Sequence, residues 1–101
     1  LNHNPLLHRI DQAEREGWTV LDLTGQNIKE LPEEIGKLTR LNKLDLGSRT
    51  DAETGRFSFN HLKTLPESLK QLTRLECLIL RGNKLETLPD WLKKTMFSAA
   101  F

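Results

Sequence analysis

The sequence predicts an α/β fold: a solenoid of short stacked repeats with one helix in front of them. Three observations predict it. Leucines recur with a period of 23 residues from Trp18 to Leu41, a spacing that neither a single helix nor a single strand produces. Each copy has the same internal order: apolar-x-x-Leu-x-Leu, a turn, an Asn or Gln, an apolar residue, then x-x-Leu-Pro. Residues 4–17, NPLLHRIDQAEREG, carry the start and stop signals of a helix. Self-similarity at this period marks a repeat architecture, in which no copy can bury its apolar side alone.

The helix comes first in the chain. Asn4 suits the N-cap and Pro5 the first helical position. Leu6, Ile10 and Ala13 fall at helical spacing with Leu7 beside them, and Gly17 suits the residue just past the end. Residues 1–17 are therefore expected to form a helix of about three turns that covers the open end of the first repeat.

Three repeats follow, over 18–40, 41–74 and 75–94. Their columns are Trp18/Leu41/Leu75, Leu21/Leu44/Leu78 and Leu23/Leu46/Leu80. After the turn come Ile28/Leu62/Leu85, Leu31/Leu65/Leu88 and Pro32/Pro66/Pro89. Ile35/Leu69/Leu92 and Leu38/Leu72 complete the pattern, which fails at Thr95. The Leu-x-Leu step suits a short strand with alternate side chains inward, so that stacked copies make a parallel sheet. Asn60 and Asn83 stand at the turn, where an amide can donate to and accept from backbone groups of neighbouring copies. Gln26 occupies this column in the first copy.

The Leu-Pro step is expected to open a short helix. Acids follow the prolines at Glu33, Glu67 and Asp90, and bases come later, among them Lys37, Lys70 and Lys93. Acid first and base last complements a helix dipole, so these charges read as structural.

These columns resemble the leucine-rich repeat family over residues 18 to 94. The 23-residue period and the Leu-Pro-x-x-apolar-x-x-Leu ending resemble its intracellular, Ras-associated type. The resemblance implies a short right-handed β/α horseshoe with a parallel sheet on the concave face. It also implies a role in recognition or scaffolding through contact with another protein. In larger bacterial proteins that the chain resembles, such repeats precede GTPase modules of the Roco type.

The second copy spans 34 residues, 11 more than the first, and the excess lies near residues 49–59, RTDAETGRFSF. Two registers are open. Either Leu46 fills the second strand leucine position and 49–59 loop out, or Phe57 takes that position. The alternation of Phe57 and Phe59 after Thr54-Gly55 allows a hairpin with Lys43–Ser48. Insertions in repeats collect on one face, often the binding face. Arg49, Asp51, Glu53, Arg56, Phe57 and Phe59 are therefore candidate contacts on the rim. On the concave strands the outward residues are Val20, Lys43 and Cys77 in one column. Asp22, Asp45 and Ile79 form the next, and Thr24 and Arg81 belong to a third with Gly47. These are the candidate partner-binding residues, and a structural spacer without a partner is the alternative.

Charge and composition bound the rest. Lys+Arg total 15 and Asp+Glu 14, a net charge of +1 that lacks the basic excess of a nucleic-acid binder or a polybasic membrane patch. No apolar run is long enough to cross a bilayer. Cys77 is the only cysteine, which excludes an internal disulfide and a cysteine-built zinc site. His3 and His8 do not share a helix face, and no phosphate-loop or nucleophile-elbow pattern occurs. Asp22 and Asp45 share a column as paired carboxylates might, but without a convergent acid, base and nucleophile set. The expectation is a non-enzymatic domain with no cofactor or metal, whose partner is a protein or an adjacent domain of its own chain. A cytoplasmic setting follows from the lack of a signal-like start and of an N-x-[ST] acceptor. Residues 95–101 lack a recognisable repeat start at Ser98 and are expected to be an irregular cap or a cut end. Together with Leu1 in place of an initiator Met, they suggest a longer natural protein.

Overall fold

In a computed structural model the chain is described at residues 4–86, 88–93 and 98–100. The element order is α1 (Pro5–Glu16), β1 (Val20–Asp22), a 3₁₀ segment (Glu33–Lys37), β2 (Lys43–Asp45), β3 (Arg49–Thr50) and β4 (Phe57–Ser58). A second 3₁₀ segment (Glu67–Gln71), β5 (Cys77–Ile79), α2 (Asp90–Lys93) and β6 (Ser98–Ala100) complete it. The result is an α/β fold with a parallel sheet in the order β1-β2-β5-β6.

Helix α1 begins where its cap residue dictates. Asn4 Oδ1 accepts from the N–H groups of Leu6 at 3.0 Å and Leu7 at 3.3 Å. It ends at Gly17, whose φ of 66° lies in the left-handed region that favours glycine. The Gly17 and Trp18 N–H groups close the last turn on Glu14 and Ala13 carbonyls. Ile10 and Ala13 are buried, Leu6 packs on the same core, and the helix lies against the Glu33–Lys37 segment.

The sheet register is set by the leucine columns. Leu21, Leu44 and Leu78 are partners in successive strands, and all three are fully buried. Leu23 and Leu46 are equally buried and Leu80 nearly so. A side chain of this size contributes about 1.5–3 kcal/mol when buried completely. The ladder runs past the strand ends: Leu23 N donates to Asp45 O at 2.9 Å and Leu46 N to Ile79 O at 2.9 Å. After the turn, Ile28, Leu31 and Leu62 enter the same core, while Leu65, Leu85 and Leu88 are half-buried against it.

Asn60 ties the first two copies together. It is fully buried, and its Oδ1 accepts from Gln26 N at 3.1 Å and Ile28 N at 2.9 Å. Its Nδ2 donates to Leu23 O and Leu46 O, both at 2.9 Å. Two acceptor sites and two donors are the full capacity of an amide. Asn83 repeats the device one copy on. Its Nδ2 donates to Leu46 O and Leu80 O at 2.9 Å, and its Oδ1 accepts from Leu62 N at 3.0 Å. Leu46 O thus receives both asparagines. Gln26 takes part only through its backbone N–H, which explains why a longer side chain is tolerated there.

Three features sharpen or correct the sequence expectation. The short helices after Pro32 and Pro66 are 3₁₀, and each proline stands at the N-cap. Five residues separate Pro32 from Leu38 and Pro66 from Leu72, which makes room for one short tight helix only, the usual extent of a 3₁₀ helix. The dipole argument for the acid-then-base order weakens accordingly. What survives is local: Lys70 Nζ reaches Glu67 Oε1 at 2.8 Å on an exposed surface, a pair worth about 0–1 kcal/mol. Second, of the two registers for copy two, the structure adopts the one with Leu46 in the core. Phe57 lies outside, and the hairpin pairs β4 with Arg49–Thr50 instead of Lys43–Ser48. The physical reason is that β2 is already bonded on both sides, to β1 and β5, and has no free edge to offer. Third, Ser98–Ala100 form a strand that pairs with β5, Ser98 opposite Cys77, where an irregular or cut end is expected. The remainder of 95–101, including Thr95, lies outside the described residues.

Removing the buried amide tests this arrangement. Asn60→Ala leaves two N–H groups and the Leu23 carbonyl without their partner, and an unsatisfied buried group costs about 1–3 kcal/mol. Urea denaturation should show a loss of about 3 kcal/mol or more for Asn60→Ala and a smaller loss for half-buried Asn83→Ala. Equal losses would contradict the central position of Asn60.

Candidate functional site

The outer face of the sheet brings most of the candidate strand residues together. Val20, Lys43 and Cys77 are register partners, and so are Asp22, Asp45 and Ile79. Val20, Asp22 and Lys43 are exposed, and Asp45, Cys77 and Ile79 half-buried. Arg81 is also exposed, but the third column does not form a surface. Thr24 is buried, and its hydroxyl donates to Asp22 Oδ1 at 2.7 Å. Gly47 is buried as well. The chain turns inward at these positions, so Thr24 is withdrawn from the candidate contacts.

That turn also explains the acidic column. Asp22 Oδ1 accepts from Thr24 N at 2.9 Å, and Asp45 Oδ1 from Gly47 N at 3.0 Å. Each carboxylate closes the backbone turn two residues on, an Asx turn. Asp-x-Thr and Asp-x-Gly are the sequence signals for it. The Thr24 N–H, then its hydroxyl, holds the Asp22 carboxyl below its ordinary value, with Arg49 and Arg9 helping at longer range. Two carboxylates engaged with backbone in this way are structural groups, not an acid and base pair. Among the described residues no group of three His, Cys, Asp or Glu is placed to hold a metal ion. His8 is exposed, His61 is half-buried on another flank, and His3 lies outside the described residues.

The insertion forms a small antiparallel hairpin at the end of the strands. Its tip is closed by Asp51, whose Oδ1 accepts from Glu53 N at 2.8 Å. That N–H is the main cause holding the Asp51 carboxyl below its ordinary value. Gly55, at a φ of 71°, donates its N–H to Asp51 O at 2.8 Å. The base is seated on the turns of copies one and three. A Cβ on Gly25 would stand 2.8 Å from Ser58 Cβ and 3.0 Å from Arg49 Cβ, and its φ of 61° is left-handed besides. The hairpin therefore packs as close to the first turn as a glycine allows. Phe59 leans toward Gly82, where an added Cβ would meet its ring at 3.2 Å. Asn27 N donates to Phe59 O at 2.9 Å. Phe57 and Phe59 stack with ring centroids 6.1 Å apart and remain exposed, as do Arg49, Asp51, Glu53 and Arg56.

The sequence reading missed a second surface. On the flank beyond the asparagine turns, Asn27, Lys29, Glu30, His61, Lys63 and Lys84 line a groove of about 520 Å³. The signal was available in the columns Asn27/His61/Lys84 and Lys29/Lys63/Glu86, which lie between the leucine columns.

A family profile described as Leucine Rich Repeat matches residues 74–95. Among solved structures, the chain is similar to a leucine-rich repeat protein of Leptospira interrogans at 24% identity, with a TM-score of 0.36. That alignment covers 88% of this chain and 32% of the other, so the chain spans about a third of that protein's length. No curated protein matches the chain. The profile match supports a leucine-rich repeat at residues 74–95.

The Asp22 turn has a pH signature. Its folded-state value lies below that of an unfolded aspartate, about 3.9. Its contribution to stability is therefore complete above that value and is lost as pH falls through the folded one. Proton titration followed by NMR should place the Asp22 midpoint below that of an unfolded aspartate. The stability gap between wild type and Asp22→Ala should narrow on acidification below about pH 4. A gap that is constant from about pH 7 to about pH 3 would show that the turn bonds do not favour the charged form.

Proposed function

We propose that the chain is a protein-recognition module: a short leucine-rich repeat solenoid, closed at its N-terminal end by α1. Its binding face is the concave strand surface together with the rim hairpin. One observation carries this reading. The large hydrophobic side chains that stay exposed among the described residues are Val20, Phe57 and Phe59, at 54%, 65% and 43%. All three lie on the outer strand face or its rim, and none on the segments that cover the other side of the core. A single exposed apolar residue means little, but exposed aromatics grouped on one side mark a contact surface. Half-buried Cys77 and Ile79 extend the apolar character, and Lys43, Asp45 and Arg81 supply the polar contacts that fix orientation. Arg49, Asp51, Glu53 and Arg56 border the phenylalanines on the hairpin.

The partner in this reading is a protein or an adjacent domain, in the cytoplasm, with neither nucleic acid nor a membrane as ligand. No described helix is long and apolar enough to cross a membrane. A sheet of four three-residue strands presents a small face, so the module works as a segment of a larger recognition surface. A Roco-type protein, with its GTPase module elsewhere in the chain, is one setting of this kind.

The reading is tested by affinity capture with the wild-type chain, with a Lys43→Glu/Arg81→Glu variant, and with residues 50–56 deleted. A protein held by the wild type should be released by either change, with hot-spot losses of about 2 kcal/mol or more for Phe57→Ala. Capture that survives all of these changes would favour the spacer reading.

A further inference from the structure

We propose that the groove lined by Asn27, Lys29, Glu30, His61, Lys63 and Lys84 binds an acidic peptide segment. It is a second recognition surface and does not depend on the concave-face reading. The backbone sets the spacing of its charges. His61 N donates to Ile28 O at 2.7 Å and Lys84 N to Leu62 O at 2.9 Å, so successive copies stand one hydrogen bond apart along this flank. Lys29 and Lys63 occupy the same place in neighbouring copies, and His61 and Lys84 do so in the adjacent column.

Two bases elsewhere, Arg15 and Lys70, have acidic partners: Asp11 at 3.0 Å and Glu67 at 2.8 Å. Among the described residues, no ion pair engages Lys29, Lys63 or Lys84, all three of which are exposed along one groove. Three ammonium groups without an ion-pair partner, held at repeat spacing, form a track for carboxylates. An anion laid along it gains charge-assisted hydrogen bonds.

The acids among these lysines select the class of ligand. Glu30 lines the groove, and Glu86 continues the Lys29/Lys63 column in the third copy. A nucleic-acid strand carries a phosphate at every step and would meet both. A peptide can set its carboxylates against the lysines and neutral residues against Glu30 and Glu86. The chain's net charge of +1 also lacks the general excess that nucleic-acid binding draws on.

The test is fluorescence anisotropy at low salt, with a fluorescein-labelled peptide of alternating glutamate and glycine titrated with the full chain. Saturable binding is expected, weakened about tenfold by Lys29→Glu/Lys63→Glu and retained by Lys29→Arg/Lys63→Arg. Lys37→Glu, away from the groove, should leave it unchanged. Circular dichroism establishes that each variant is folded, and Lys84→Glu serves as the independent variant. Absence of saturable binding by the wild type would overturn the proposal. So would a loss on Lys43→Glu as large as that on the groove variant, because the peptide would then sit on the strand face. A labelled oligothymidylate that binds as tightly as the peptide, with the same loss on Lys29→Glu/Lys63→Glu, would overturn the choice of ligand.

Discussion

The hydrogen bonds of the buried Asn60 amide are the interaction on which the rest of this structure depends. Leucine burial supplies most of the driving force for folding, but it is not directional. Leucine columns alone would tolerate neighbouring copies sliding or tilting against each other. Asn60 removes that freedom. It holds the end of β1 through Leu23 O, the end of β2 through Leu46 O, and the turn of copy one through Gln26 N and Ile28 N. A buried amide with each group satisfied is specific because any other register leaves some of them without partners. Asn83 extends the same ladder by sharing the Leu46 carbonyl.

The surfaces follow from that constraint. The chain leaves the stack after Leu46 and re-enters it at Asn60, so the intervening hairpin has both ends fixed at one level. Its base can only sit over the neighbouring turns, and Gly25 makes the necessary room. The aromatic pair is thereby held at the rim of the strand face. The lysine groove has the same origin. Its columns begin immediately after the asparagine turns, and their spacing is that of the backbone bonds from His61 and Lys84. Strand face, rim hairpin and flank groove are three outward aspects of one ladder.

Much of the fold was legible in the sequence because it rests on local or periodic signals. Asn4, Pro5 and Gly17 act on backbone within a few residues, and the leucine columns need only a repeat count. The misreadings arose where a local pattern had two outcomes. Phe57-x-Phe59 alternates as a strand should, yet the place beside β1 and β5 was already taken by Leu44 and Leu46. Ser98–Ala100 contains no branched or large apolar residue, so its strand comes from pairing with β5 rather than from composition. Thr24 looked outward by alternation, but alternation ends where a turn begins, and Asp22 recruits its hydroxyl. The lysine columns carry no hydrophobic signal, so the periodicity that marks the leucines does not mark them.

Amide hydrogen exchange at Gln26 and Ile28 is the most direct test of the central claim. Both N–H groups lie outside regular secondary structure and bond only to the Asn60 side chain. If that amide locks the stack, the two protons exchange only when the whole structure opens, at rates matching the N–H of Leu46 in the ladder. Exchange at the rate of an open loop, while Leu46 stays protected, would show that Asn60 decorates the stack rather than holding it.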